Sequence, residues 1–276
     1  MRVTGEGGVG IEVFVDGPED GTPVLFLHGW PDSHDLWRHQ VAALSNDGYR
    51  TIAPDLRGFG ASDKPQDVDA YQLKNTVFDM LAVFDATGTE QVHVVAHDWG
   101  AAAAWGLTAF LPDRVHSLTA LSVGHPNAFR DAGFDQRARS WYMLLFNFEG
   151  IAEEWFEQNK QLMLASHPDK DDVIKALAEP GALTASFGWY RANAHPRTLL
   201  GGPVELPRVT TPVMGVWSTG DFALTERQMT ESKNYVDGPF RYERIDGAAH
   251  WMQAEKPDEV TALLRDFLGQ HRPTGH

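Results

Sequence analysis

Hydrophobic positions in this chain follow two periods, and their alternation predicts the architecture. A short, fully apolar run stands at 24–27, an apolar, β-branched one at 92–96 and an alternating stretch at 11–15, while 49–53, 115–123, 213–217 and 242–245 also read as strands. Runs that are apolar on both faces read as strands of a parallel sheet covered on both sides. Between them apolar residues recur at helical spacing. Leu36, Trp37, Val41 and Leu44 mark 33–45, and the pattern returns over 73–87, 101–111, 225–234 and 258–268. Pro112 stops the third of these helices. Strand and helix in alternation predict a doubly wound, mostly parallel α/β sheet.

One stretch breaks the alternation. From 128 to 206 no strand pattern is found, and 137–148, 151–164, 171–179 and 182–193 read as aromatic-rich helices. Pro203 and Pro207 mark the exit. The expected organisation is a core of 1–127 and 207–276 carrying a helical cap of 128–206.

Composition narrows the partners. Hydrophobic residues make up 42% of the 276, enough for a sizeable core. The formal charge of 23 − 38 = −15 disfavours nucleic acid or an anionic membrane and suits a small neutral substrate. With no cysteine, disulfides, thiolate metal sites and a cysteine nucleophile are excluded. No zinc-ligand spacing is found, so no metal and no cofactor are expected. The first residues lack the apolar segment of a signal peptide, and no run approaches membrane-span length, so a cytoplasmic protein is expected. The glycine-rich loop 54–63 lacks the spacing of a phosphate-binding fingerprint; Asp55 and Arg57 read as residues that fix it.

The candidate chemistry starts at 92–101, where an apolar strand runs into His97-Asp98-Trp99-Gly100 and then into alanines. Small residues two before and two after Asp98 permit a sharp strand-to-helix turn that lifts its apex above the sheet, the logic of a nucleophile elbow. An Asp before a helix is also an ordinary N-cap. Two further residues follow later strand ends, Asp221 and His250, and the order nucleophile, acid, histidine is that of an α/β-hydrolase triad. Active sites of open α/β sheets lie at the carboxyl ends of the strands. The loop after 115–123 contains no carboxylate, which leaves Asp221 to orient His250; Asp246 reads as a turn former. His28-Gly29-Trp30-Pro31 follows the early central strand and suits a donor of an oxyanion hole.

With these residues in view, the chain resembles the α/β-hydrolase-fold epoxide hydrolases of the soluble type over essentially its whole length. The resemblance rests on HGWPDS (28–33), DLRGFGASDKP (55–65), VVAHDWGA (94–101), WYMLLFNFEGIAEEW (141–155), GWYRAN (188–193) and GAAHWMQAEKPDEV (247–260). It implies that Tyr142 and Tyr190 of the cap address the epoxide oxygen. From the residues alone, each tyrosine also reads as half-buried packing on an aromatic helix.

The implied reaction joins an epoxide and water into a vicinal diol. Asp98 attacks an epoxide carbon to form an alkyl ester, and the two phenols donate to the leaving oxygen. His250, oriented by Asp221, then activates the water that hydrolyses the ester, while the backbone N–H groups of Trp30 and Trp99 hold the oxyanion. An aspartate nucleophile argues against an esterase, which would pass through a mixed anhydride. Trp30, Trp99, Trp141, Phe146 and Trp189 are expected to line an apolar substrate site.

The alternative is a haloalkane dehalogenase with the same Asp98, His250 and Asp221. Trp99 fits one halide donor, with Trp141, Trp155 or Trp189 as candidates for the second. Where fluoroacetate dehalogenases place arginine after the nucleophile, this chain has Trp99 and Ala101. A non-catalytic small-molecule binding protein need not keep all three triad residues. A homodimer is compatible with the sequence.

Overall fold

In the computed structural model, which describes residues 1–200 and 202–272, the seven expected strands join one eight-stranded sheet whose first strand, Arg2–Thr4, the sequence reading does not include. Its strands are β1 (Arg2–Thr4), β2 (Gly10–Asp16), β3 (Pro23–Leu27), β4 (Arg50–Pro54), β5 (Val92–His97), β6 (Val115–Leu121), β7 (Val213–Ser218) and β8 (Phe240–Ile245). They lie in the order β1-β2-β4-β3-β5-β6-β7-β8, antiparallel as far as the β2/β4 pair and parallel from β4 onwards. The doubly wound, mostly parallel α/β-hydrolase sheet is therefore present.

The central strands earn their position by burial on both faces. Val24 to Leu27 and every residue of β5 are buried. β8 forms the edge and carries Arg241 and Glu243 as an ion pair at 2.6 Å. Charge on an edge strand discourages pairing with another chain.

The helices of the core are α1 (Arg38–Asn46), α2 (Leu73–Thr87) and α3 (Trp99–Phe110). Next come those between β6 and β7: α4 (Pro126–Asp131), α5 (Phe134–Arg139), α6 (Trp141–Leu145), α7 (Ile151–Met163), α8 (Lys170–Leu177) and α9 (Ala182–Asn193). The chain closes with α10 (Glu226–Thr230), α11 (Met252–Glu255) and α12 (Pro257–Gln270). Gly201, within the expected cap, lies outside the described residues.

Three expected helices differ; the first, 33–45, opens as a 3-10 turn, His34–Trp37, before α1 begins at Arg38. The pattern over 137–148 predicts one helix, but the chain forms α5 and α6 with a break at Ser140. The cause is tertiary. Gln136 donates to Ser140 Oγ at 3.0 Å and to Ala223 O at 2.8 Å, and Arg139 donates to the carbonyl of Asp221. These bonds tie α5 to the core loop. Likewise 225–234 divides into α10 and a 3-10 turn, Glu231–Tyr235.

Candidate active site

The β5–α3 turn has the geometry its small residues permit. Asp98 sits at φ 51°, ψ −123°, a left-handed backbone that a non-glycine residue adopts only under constraint. Two glycines let the turn close. A Cβ on Gly100 would stand 2.3 Å from His28 O, and one on Gly29 would stand 2.4 Å from the Asp98 side chain. Asp98 makes no side-chain cap to α3. Its Oδ1 instead accepts the Trp30 N–H at 2.8 Å, from the loop after β3.

His250 comes to this carboxylate from the loop after β8. Its Nε2 lies 3.7 Å from Asp98 Oδ2, and its Nδ1 lies 3.1 Å from Asp221 Oδ2. Asp221 is held in turn: Oδ1 accepts the N–H groups of Ala223 and Leu224 at 2.9 Å each, and Oδ2 accepts Ser122 Oγ–H at 2.7 Å. Three strand ends thus bring Asp98, Asp221 and His250 together, all buried.

Burial alone would push Asp98 toward its neutral form, but the His250 contacts, His97 and the Trp99 N–H outweigh it and hold the carboxyl below its usual range. Asp221 is held down against burial by His250, the Leu224 N–H and Ser122. Burial disfavours the His250 imidazolium, yet the two carboxylates raise its pKa to about 10. His97, with its Nε2 at 3.0 Å from His250 O, is brought down to about 4 by burial and by His250.

Asp98 and His250 line a narrow cavity of about 10 Å³. Trp30 and Trp251 form walls, Tyr142, Tyr190 and Met163 close it from the cap, and Phe222 and Ala223 complete it. Both phenols are buried, with ring centroids 6.0 Å apart. Burial, and after it the charge of Asp98, pushes both phenol pKa values well up, so each keeps its proton to donate.

Four of the five expected lining aromatics lie off this cavity; only Trp30 lines it. Trp141 is half exposed and packs on Trp155, with centroids 5.4 Å apart. Trp189 is fully buried and donates its Nε1–H to Arg57 O at 3.0 Å. The reason is helical geometry: each tryptophan precedes a cavity-facing tyrosine and is rotated about 100° from it. Phe146 stacks on Phe187 at 4.2 Å, behind the lining, and Trp99 meets Tyr190 edge-on at 5.1 Å.

Met163, Phe222, Ala223, Trp251 and Ser122 were not expected. Phe222 and Trp251 directly follow Asp221 and His250, and that adjacency was an available signal; Met163 at the end of α7 carries none. Asp55 and Arg57 hold their loop. Asp55 accepts the His34 and Ala61 N–H groups at 2.9 and 2.8 Å, and Arg57 forks onto buried Asp79 at 2.8 and 2.7 Å.

Residues 22–257 match the family model described as the alpha/beta hydrolase fold. The AB hydrolase superfamily protein YfhM of Bacillus subtilis is 31% identical, over 95% of each chain. Epoxide hydrolase A of Mycobacterium tuberculosis is also 31% identical, over 97% of this chain and 96% of its own. Among solved structures, an epoxide hydrolase of the α/β-hydrolase superfamily from hot-environment metagenomes superposes with a TM-score of 0.87 at 29% identity, over 100% of this chain and 98% of its own. Among the described residues no helix is long and apolar enough to cross a membrane.

Proposed function

Given that the chain belongs to the α/β-hydrolase fold family, among its epoxide hydrolases, we propose that it converts a small apolar epoxide and water into a vicinal diol through an Asp98 ester. The observation that carries this reading is the shared cavity: two protonated, buried phenols face the same space as Asp98 and His250.

In the first step an Asp98 oxygen attacks an epoxide carbon, the carbon–oxygen bond of the ring breaks, and Tyr142 or Tyr190 gives its proton to the leaving oxygen. The ester carries no charge, so one of the two carboxylates that hold His250 protonated is lost. His250 then releases its proton, which restores the phenol, and becomes a base. In the second step it takes a proton from water as the water attacks the ester carbonyl. The N–H groups of Trp30 and Trp99 lie against Asp98 and serve the oxyanion. The tetrahedral intermediate then breaks its bond to the alkyl oxygen, which takes the proton left on the incoming oxygen and departs as the second hydroxyl of the diol; Asp98 returns as a carboxylate beside a protonated His250, and the cycle closes.

Halide release is the competing reading, and one group favours it. The Trp99 indole N–H is buried beside the nucleophile with no hydrogen-bond partner among the described residues, and could hold an anion. The second donor is what disfavours it. Trp30 Nε1 donates to Ser186 Oγ at 3.1 Å, Trp189 Nε1 to Arg57 O and Trp251 Nε1 to Asp32 Oδ2 at 3.0 Å, and neither Trp141 nor Trp155 lines the cavity.

The test is one turnover of a styrene-type epoxide in heavy-oxygen water, followed by weighing the Asp98 peptide. Label in Asp98 is expected, and its absence overturns the ester mechanism. A bromoalkane offered in parallel separates the chemistries: halide release without diol formation overturns the epoxide reading.

A further inference from the structure

One buried hydroxyl joins the acid–histidine pair without facing the cavity. Ser122 follows β6 directly and is fully buried. Its φ of 65° is positive, and among the described non-glycine residues only Asp98 shares that feature. A left-handed serine is strained where glycine would be free, and it persists only when its surroundings over-determine it. They do so here. The Ser122 N–H donates to Val216 O at 2.9 Å, and its carbonyl accepts Gln228 Nε2–H at 2.7 Å.

This backbone carries the hydroxyl to one target. Ser122 Oγ donates to Asp221 Oδ2 at 2.7 Å, the same oxygen that faces His250 Nδ1. It also lies 3.3 Å from His250 Nδ1 and 3.4 Å from His250 O. The two backbone donors on Oδ1 fix one end of the carboxylate; Ser122 fixes the other.

We infer that Ser122 is a positioning residue of the ester-hydrolysis step: its hydroxyl keeps Asp221 Oδ2 in line with His250 Nδ1 and draws off part of the carboxylate's charge. The inference rests on the proposed ester mechanism. A donor sharing the oxygen competes with His250 for it, so the carboxylate is stabilised without an equal gain for the imidazolium. Without Ser122, Asp221 can rotate away, and when in line it holds the His250 proton more tightly. The other groups around His250 are Asp98, neutral His97, and Tyr142 and Tyr190 across the cavity, with the Arg139 guanidinium on the Asp221 carbonyl. None of them is altered by a change at Ser122.

The experiment follows alkylation and ester hydrolysis separately, in single turnovers of a styrene-type epoxide across pH, for Ser122→Ala and Ser122→Gly. Glycine removes the hydroxyl but relieves the positive φ, which offsets part of the lost hydrogen bond, so that variant should melt closer to wild type than Ser122→Ala. In both variants hydrolysis should slow by about ten- to a hundred-fold, the effect of losing a hydrogen bond to a charged group. The acid limb of hydrolysis should move to higher pH, with alkylation changed by less than about threefold. Unchanged hydrolysis in the folded glycine variant overturns the inference, as does an equal slowing of both steps with the limb unmoved. Should wild type release halide and form no diol, the epoxide reading falls alone. The same two steps are then followed with the bromoalkane, and the same outcomes decide the role of Ser122.

Discussion

His250 meets Asp221 at 3.1 Å, and His167 meets Asp32 at 2.9 Å; both imidazoles pack on Trp251, with centroids 5.1 and 4.4 Å from it. Both pairs are buried. They differ in the other ring nitrogen. His167 Nδ1 accepts the Asp169 N–H at 3.0 Å, which leaves Nε2 to donate to Asp32, and the second Asp32 oxygen accepts Trp251 Nε1–H. Every polar atom of that network is spent on protein, tying the segment between α7 and α8 to the loop after β3. His250 Nε2 faces Asp98 at 3.7 Å, beyond hydrogen-bond length, on a cavity. A histidine–carboxylate pair is thus a strut when both nitrogens are satisfied, and a base when one is left for a proton in transit.

His250→Gln removes the base and leaves the strut intact. Turnover should fall about 10²- to 10⁴-fold, the contribution of a general base, with the Asp98 ester accumulating. Mass analysis of the Asp98 peptide after a short incubation checks it. Next comes the cap's half of the chemistry. A Tyr142→Phe, Tyr190→Phe double variant should lose about 10²-fold or more in the alkylation step, read by stopped-flow tryptophan fluorescence.

His167→Gln should reverse the pattern. It breaks the strut, and loss of a buried hydrogen bond costs about 1–3 kcal/mol. Melting should therefore fall by a few degrees, at roughly 2–4 °C per kcal/mol for a chain of this size, while kcat changes less than about tenfold. A kcat loss as large as that of His250→Gln would erase the distinction.

Titration gives a subtler contrast. The His250 pKa rises from 6.5 to about 10 on folding, so its stabilisation is complete below about pH 6.5 and is lost as pH rises toward 10. Asp98 and Asp221 fall below 3.8, so theirs is present above about pH 4 and is lost as pH drops through the lowered values. Thermal melts across pH should show the alkaline decline in wild type and a flatter one in His250→Gln. The smallest effect belongs to Trp141→Ala: off the cavity and half exposed, it should leave kcat/KM within about twofold and stability within about 0.5 kcal/mol.

Much of the core was legible because its signals are local. The runs at 24–27 and 92–96 are buried on both faces because they are apolar on both faces. The small residues around Asp98 encode a turn whose sterics involve few neighbours. Tyr142 and Tyr190 were legible only through family resemblance, since periodicity on an aromatic helix does not tell which face meets a cavity. The same blindness put Trp141 and Trp189 in the lining, one helical step from the residues that occupy it. His167, Asp32 and Ser122 gave no signal, because a lone polar residue acquires a role only from what folding sets beside it.

Periodicity and turn sterics act over a few residues, so the strand–helix alternation, the sharp turn at Asp98 and the order Asp98, Asp221, His250 are written in the chain itself. Which nitrogen of which histidine stays free, which face of each cap helix closes the cavity, and that Ser122 reaches Asp221 emerge only on folding. Those are distances between groups far apart in the chain, 128 residues for Ser122 and His250 and 135 for Asp32 and His167, and packing alone fixes them.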